Sequence, residues 1–330
     1  MNRRQFSNPA LAVAACLMLF VAAGSFAADP APCETGSRSC PPAFALNRYR
    51  IGPPQFALPF HLFNGHMLID GAVNGHAGKF LFDTGTEFPF FLNNHFLALA
   101  KDQRVGSGKA ASGQEMVLYR QGAPLPSLEI AGQLRFENLP GPVHTDWRFL
   151  EQAYSIPSFL GSIGHGFNQN YIFVIDYDAQ TIVFHAQDQD DSALAHVVDP
   201  ARVLCILAFT AAGVDGKLPE IELQVGDEAI TAYFDTGNQG SLELTEAMAS
   251  SLEARGHLSL AHSEYTYGMV EPHTRARLKG LRHGQQALHD AEQLFFRTGS
   301  RNRVGLGFNF MKNYVTVWDY KRQTLTLLSP

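Results

Sequence analysis

Short apolar stretches rich in β-branched and aromatic residues recur throughout the chain. They lie at residues 79–82, 171–175, 182–185, 231–234, 314–318 and 325–328. This composition is typical of β-strands, and turn-forming residues separate the stretches. One segment, at 245–253, has a helix-like pattern instead. The pattern predicts an all-β protein with few short helices.

The same order of segments occurs twice along the chain. The sequence Phe-Asp-Thr-Gly at 82–85 recurs at 234–237, in each case at the end of an apolar strand. A hydrophobic-Gly pair at 163–164 recurs at 306–307, and each pair is followed by a similar two-strand segment. Such self-similarity is the signature of an internal duplication. The sequence therefore predicts two homologous β-barrel lobes related by a pseudo-twofold axis.

The first 27 residues have the features of an export signal. Arg3 and Arg4 precede an apolar stretch at 10–23, and small residues stand at Ser25 and Ala27. This arrangement predicts cleavage after Ala27 and a periplasmic or secreted protein. The two arginines leave the Sec and twin-arginine routes both open. Lipid anchoring at Cys16 is a third alternative, disfavoured because the residues after it stay apolar.

Composition excludes several classes of protein. Of the 330 residues 45% are hydrophobic, so a disordered chain is excluded, and 29 glycines with 18 prolines suit short strands joined by turns. The formal net charge of −6 gives no basic excess to hold nucleic acid. The apolar stretch of the signal is too short for a spanning helix and no second candidate follows, so no integral membrane span is expected.

The cysteines and histidines predict no metal site and no cofactor. Cys33 and Cys40 lie in a Pro-rich segment and can close a small disulfide loop in an oxidising compartment. Cys205 lies within an apolar run and is predicted to be a buried free thiol. Zinc-ligand spacings are missing from the sequence.

The predicted organisation has four parts. Residues 1–27 form the signal peptide and residues 28–55 a Pro-rich leader. The N-terminal lobe covers 56–195 and the C-terminal lobe 196–330, which we call the first and second halves. The boundary is placed where several aspartates and a proline interrupt the apolar pattern.

The candidate chemistry centres on Asp83 and Asp235. A carboxyl group at the end of an apolar strand is partly buried, and burial raises its pKa. If the pseudo-twofold axis brings the two together, they cannot both ionise near neutral pH and share one proton. One carboxylate can then act as general base on water while its protonated partner polarises a carbonyl group.

The residues after each aspartate have predicted supporting roles. Gly85 and Gly237 let the backbone turn sharply beneath the carboxyl groups. The hydroxyls of Thr84 and Thr236 can bond across the axis to the opposite loop, which would fix the two turns in register.

On these two Phe-Asp-Thr-Gly segments and the two hydrophobic-Gly pairs, the sequence resembles the two-lobed aspartic proteases. It shares the one-chain arrangement of pepsin, with short lobes similar to those of retroviral proteases and their bacterial relatives, over residues 56–330. The resemblance implies that Asp83 and Asp235 form the catalytic pair and that the segments 162–164 and 305–307 pack under the loops.

The function implied by this resemblance is an exported aspartic endopeptidase. It would hydrolyse peptides or unfolded proteins without metal or cofactor, as a monomer. The competing hypothesis is a catalytically silent peptide-binding or inhibitor protein on the same fold.

Two features bear on the implied activity. The family usually has Ser, Thr or Ala after the glycine, which Thr86 matches and Asn238 does not, although Asn238 could donate a hydrogen bond to Asp235. The family also covers its cleft with a hairpin. Tyr119 and Tyr267 are candidates to close over substrate, and the alternative for each is an ordinary strand aromatic in a half-buried hairpin.

Overall fold

A computed structural model describes residues 55–330 except 111–113, 155, 187–197, 213–217 and 265–272, together with the short strand Leu19–Phe20. The described chain is mostly β-strand, in three sheets with a few short helices. The all-β prediction is therefore confirmed for the described residues. The helices are α1 (Asn94–Leu97), α2 (Arg148–Tyr154), α3 (His165–Asn168), α4 (Glu246–Ala254) and α5 (Phe308–Met311), with a 3₁₀ turn at Pro200–Arg202.

The first sheet contains eleven strands, from the first half and the Leu19–Phe20 segment. They are β1 (Leu19–Phe20), β3 (His61–Phe63), β4 (His66–Val73), β5 (His76–Phe82), β6 (Phe90–Asn93), β7 (Gln103–Ala110), β8 (Glu115–Arg120), β9 (Leu125–Ile130), β10 (Leu134–Leu139), β11 (Val143–Thr145) and β12 (Phe159–Ile163). Its order is β1-β7-β8-β11-β6-β12-β5-β4-β9-β10, with β3 paired to β4.

A second sheet of ten strands is formed by the second half. Its strands are β16 (Thr210–Ala212), β17 (Leu218–Val225), β18 (Glu228–Phe234), β19 (Ser241–Leu244), β20 (Leu258–Glu264), β21 (His273–Leu278), β22 (Leu281–His283), β23 (Gln286–Ala287), β24 (Ala291–Arg297) and β25 (Arg303–Leu306). The order is β20-β21-β24-β19-β25-β18-β17-β22-β23, with β16 paired to β17.

The two sheets share one pairing pattern around the Asp-Thr-Gly segments. In the first half β5 runs parallel to β12, which is antiparallel to β6. In the second half β18 runs parallel to β25, which is antiparallel to β19. The register sets Phe82 beside Ile163 and Phe234 beside Leu306. Each repeated Phe-Asp segment therefore lies against the hydrophobic-Gly pair of its own half.

A third sheet of six strands contains strands from both halves. Its order is β15 (Val203–Ala208), β27 (Thr324–Leu328), β26 (Val315–Asp319), β13 (Tyr171–Asp176), β14 (Thr181–Ala186) and β2 (Gln55–Pro59). The join is the antiparallel pair β13 and β26, in which Val174 faces Val317. On this pair the rings of Phe173 and Trp318 stack with centroids 5.5 Å apart. Burial of such large rings contributes to stability and ties the two halves together.

Several predicted boundaries move in the structure. The strand expected at 79–82 begins at His76, after a turn at Asn74 and Gly75 that both have positive φ. Residue 55, placed in the leader, is the first residue of β2 and pairs with His185. The helix-like segment is α4, whose N-cap Thr245 accepts a hydrogen bond from the amide of Met248.

Other predictions fall outside the described residues. The remainder of the leader, Cys33, Cys40, most of the signal segment and the boundary between 195 and 196 lie there. Cys205 is a buried free thiol, as predicted. Among the residues that the structure describes, none of the helices has the length and apolar content to cross a membrane. The same residues contain no cluster of three or more potential metal ligands.

Candidate functional site

The two Asp-Thr-Gly segments form equivalent turns at the ends of β5 and β18. The amide of Asp83 donates to the carbonyl of Ile163 at 2.9 Å, and that of Asp235 to the carbonyl of Leu306 at 3.3 Å. These bonds extend the pairing of β5 with β12 and of β18 with β25 as far as each aspartate. Asp83 and Asp235 are 1% and 3% exposed, so both carboxyl groups leave water almost completely.

Threonine hydroxyls join the two turns. The amide of Thr84 donates to Oγ1 of Thr236 at 2.9 Å, and the amide of Thr236 donates to Oγ1 of Thr84 at 3.0 Å. The Thr236 hydroxyl also donates to the carbonyl of Phe82 at 3.1 Å. The structure thus places both hydroxyls across the junction between the halves. Each accepts a hydrogen bond from a buried amide, which would be costly to leave without a partner.

Each glycine packs against the carboxyl group of the opposite turn. A Cβ added at Gly85 would lie 2.7 Å from both carboxyl oxygens of Asp235. A Cβ added at Gly237 would lie 2.3 Å from Oδ1 of Asp83. Only glycine leaves room for this close approach. The reciprocal packing brings Asp83 and Asp235 together, and the two carboxyl groups hydrogen-bond to each other.

The two carboxyl groups of this pair influence each other's pKa. Burial raises the pKa of Asp83, and hydrogen bonds from Thr86, Asp235 and the backbone oppose that effect. Burial also raises the pKa of Asp235 well above its usual range, and the charge of Asp83 raises it further. A like charge at this distance makes ionisation of the second group unfavourable. The pair therefore keeps one proton between its two carboxyl groups.

The residues after the two glycines act differently on the two carboxyl groups. The Thr86 hydroxyl donates to Oδ2 of Asp83 at 2.7 Å and stabilises its charge. The backbone amide of Asn238 donates to the carbonyl of Asp235 at 3.2 Å, but the Asn238 side chain does not form the bond to the Asp235 carboxyl group considered above. Asn238 instead donates to the Ser241 hydroxyl at 3.3 Å and accepts from the amide of Gly240 at 2.7 Å. Asp235 therefore lacks the side-chain donor that Asp83 has.

The hydrophobic-Gly pairs lie against these loops. A Cβ added at Gly164 would lie 2.4 Å from the carbonyl oxygen of Thr86, and one at Gly307 would lie 1.9 Å from that of Asn238. The amides of His165 and Phe308 donate to those same two carbonyls, at 2.7 and 2.9 Å. The segments 162–164 and 305–307 thus support the residues that follow each Asp-Thr-Gly.

A buried histidine of the first half completes the surroundings and has no counterpart in the sequence reasoning. His66, at the start of β4, is 2% exposed and contacts the backbone of Gly237, Asn64 and Phe63. Burial lowers the pKa of His66 to about 4, because a charged ring would lose its hydration. His66 could hardly be recognised as part of the site from the sequence, because a single histidine beside an Asn-Gly turn is common.

The two candidate cleft tyrosines have different outcomes. Tyr119 lies near the end of β8 and pairs with Arg104, away from the turn between β7 and β8. Its ring stacks on His144 with centroids 6.0 Å apart, and Nζ of Lys101 lies 5.5 Å from its centroid. These contacts match the ordinary strand aromatic that was the alternative. Tyr267 lies outside the described residues.

Chemically, a carboxyl pair with one proton offers a donor and several acceptors at one point. It can bond to a small neutral polar group and exchange a proton with it. Burial limits access to small groups and strengthens each such hydrogen bond, because the local dielectric constant is low.

Comparisons with known proteins assign no family. No family model matches this chain, and no curated protein matches it. Among solved structures it is similar to the Basic 7S globulin from soybean, at 9% sequence identity and a TM-score of 0.47. The alignment covers 84% of this chain and 95% of that one. A likeness of this degree is too slight to transfer a fold or an activity.

The family expectation is corrected on these findings. No family model and no curated protein supports this expectation, and the solved structure reported above is named as a globulin. The assignment to the aspartic proteases is withdrawn, and so are the endopeptidase activity and the peptide substrate. The alternative of a catalytically silent peptide-binding or inhibitor protein is withdrawn as well.

Proposed function

We propose that Asp83 and Asp235 act as one acid–base unit that holds a single proton and bonds to a neutral ligand through the ligand's hydroxyl group. The observation that carries this proposal is the reciprocal packing of each carboxyl group on the glycine of the opposite turn. That packing brings two buried acids together, where one proton is shared. A hydroxyl group suits the pair because it can donate to Asp83 and accept from Asp235.

The roles of the surrounding residues belong to this proposal. Thr84 and Thr236 hold the turns in register through their crossed hydrogen bonds. Gly85 and Gly237 provide the room for the carboxyl groups. Thr86 keeps the charge on Asp83, and Asn238 leaves the proton on Asp235.

We further propose two homologous lobes related by a pseudo-twofold axis, with the division at 195 and 196. The repeated pairing of β5, β12 and β6 by β18, β25 and β19 supports this arrangement. The reciprocal bonds of Thr84 and Thr236 support it too. The site would then lie where the two lobes meet.

Export and a monomeric state are also proposals. The support for export is the sequence of residues 1–27, and N-terminal sequencing of the exported protein tests cleavage after Ala27. Retention of residues 1–27 in the exported protein would contradict it. Sedimentation equilibrium of the purified chain tests the monomer.

The acid–base unit is tested by carbon-13 NMR of aspartate carboxyl groups in the full chain. We expect two coupled titration steps in the wild type, assigned with the variants Asp83→Asn and Asp235→Asn. Each variant should convert the pair into one carboxyl group with one step. Asp70→Asn, which changes an exposed carboxylate paired with Lys79, is the matched control.

Ligand binding is tested with ethanol as the probe, because it is small and carries one hydroxyl. Its addition should shift both carboxyl resonances while the pair holds one proton, and should have no effect once both groups are ionised. Independent titration of the two groups in the ordinary carboxyl range would refute the shared proton. Carboxyl resonances unchanged by ethanol at every pH would refute the hydroxyl ligand.

A further inference from the structure

Two tyrosines occupy equivalent positions directly after the central strands of the shared sheet. Tyr177 follows the last residue of β13, and Tyr320 follows the last residue of β26. Both belong to an Asp-Tyr dipeptide, at corresponding places in the two repeats. Neither residue has a part in the acid–base unit proposed above.

Each of these tyrosines contacts the other half of the chain. The ring of Tyr177 packs edge-on against Phe308, with centroids 5.5 Å apart. The ring of Tyr320 packs edge-on against His165, with centroids 4.6 Å apart. Phe308 and His165 follow the two supporting glycines and bond to the backbone of the site loops. The tyrosines therefore extend from the shared sheet toward the two Asp-Thr-Gly loops, on the side of the loops that faces this sheet.

Both tyrosines are close enough to Asp235 for its charge to act on them. Both hydroxyl oxygens are buried and have no hydrogen-bond partner within the described part of the chain. Burial raises the pKa of each tyrosine, and the charge of Asp235 raises it further. Tyr233 is likewise buried and influenced by Asp235, but its hydroxyl pairs with that of Ser241 at 2.9 Å.

A buried hydroxyl without a partner is costly, and native proteins seldom retain one. Buried tyrosine hydroxyls usually find a partner, and ordered water supplies it where several polar groups surround a small space. Two hydroxyls and one carboxyl group provide the two to four partners that such a water needs.

We propose that the hydroxyls of Tyr177 and Tyr320, together with Asp235, bind ordered water on the side of the acid–base pair that faces the shared sheet. This site shares Asp235 with the proposed ligand site but does not depend on a shared proton. Its ligand is water, which donates to Asp235 and bonds to the two hydroxyls.

The sign of a stability change tests this site. Tyr177→Phe and Tyr320→Phe each remove one hydroxyl and retain the ring. If water bridges the hydroxyls, each variant should raise the unfolding equilibrium constant about fivefold, the effect of losing one net hydrogen bond. If the hydroxyls have no partner, removal of a buried unsatisfied group should lower that constant instead, and the proposal fails.

Tyr233→Phe is the matched control, because it removes a buried hydroxyl whose partner is a protein atom. It should raise the unfolding constant whether or not the water exists. The double variant Tyr177→Phe/Tyr320→Phe should change the constant by less than the product of the single effects if the hydroxyls share water. A fully multiplicative result would overturn the shared site.

A high-resolution crystal structure of the full chain gives an independent readout. Water density within hydrogen-bond distance of a tyrosine hydroxyl and of Asp235 is expected. A direct bond between a tyrosine hydroxyl and a protein atom, with no such density, would overturn the proposal. Density at this site together with independent titration of Asp83 and Asp235 would retain the water site and refute only the acid–base unit.

Discussion

His66 should make the protein lose stability in acid, and His66→Gln should remove that loss. The ring is completely buried beside Gly237, and its pKa falls from an ordinary 6.5 to about 4. The unfolded chain therefore takes up a proton below pH 6.5, whereas the folded chain takes it up only near pH 4. Because the unfolded state binds more protons in this window, stability falls as the pH falls through it.

The magnitude follows from the size of the shift. Each pKa unit corresponds to about 1.4 kcal/mol, so the lowered pKa of His66 implies a loss of about 3 kcal/mol between pH 7 and pH 4. This is a large part of the 5–15 kcal/mol that is typical of folded domains. Gln cannot titrate, so the variant should lack this dependence while keeping a side chain able to hydrogen-bond.

Urea unfolding at a series of pH values between 7 and 4 measures the effect. The free energy of unfolding of the wild type should fall more steeply than that of His66→Gln. The raised pKa values of Asp83 and Asp235 act in the opposite sense, but they are present in both proteins and cancel in the difference. His76→Gln, at an exposed position of β5, controls for the loss of a histidine. Parallel losses in wild type and His66→Gln would refute the reasoning.

Four other substitutions have expected outcomes. Thr236→Val should cost about 2–4 kcal/mol in urea unfolding, because it removes the acceptor for the Thr84 amide and the donor to Phe82. Thr84→Val removes the acceptor for the Thr236 amide and should cost about half as much; equal costs would contradict this difference between the two threonines. Gly237→Ala should cost about 1–3 kcal/mol, because its Cβ would meet the Asp83 carboxyl; an unchanged urea midpoint would argue against the close packing. Asp235→Asn should raise the urea midpoint at pH 8, where the wild type carries the cost of a buried acid that is ionised when unfolded. It should not raise the midpoint at a pH below the ordinary pKa of aspartate, because the aspartate and the asparagine are then both neutral. No gain at pH 8 would count against the raised pKa of Asp235.

The meeting of the two aspartates could be anticipated because the required information is local and repeated. Apolar strands end at Phe82 and Phe234, and the hydrophobic-Gly pairs provide their neighbours in each sheet. Hydroxyls at Thr84 and Thr236 were predicted to cross between the loops, and the structure places them there. Short polar side chains next to a turn have few alternative hydrogen-bond partners once the two turns meet.

Other features of the site depend on contacts that no local pattern encodes. His66 contacts Gly237 only because the turn at Asn64 reaches the other half, where Gln239 donates to the carbonyl of Asn64. The Asn238 side chain can bond to several partners, and in the structure these are Ser241 and the Gly240 amide. The family and its activity could not be obtained from the motifs, because short turns of this kind do not specify function.

The difference between Thr86 and Asn238 provides the most direct test of where the proton lies. Thr86 stabilises the charge on Asp83, and Asp235 has no equivalent side-chain donor. Thr86→Val should therefore raise the pKa of Asp83, and Asn238→Thr should lower that of Asp235 by supplying a hydroxyl. The two changes together should move the proton toward Asp83, seen as an exchange of the order in which the two carboxyl resonances titrate. If the order stays the same in the double variant, the residue after each glycine does not set the asymmetry, and the unequal effect of burial on the two carboxyl groups must do so.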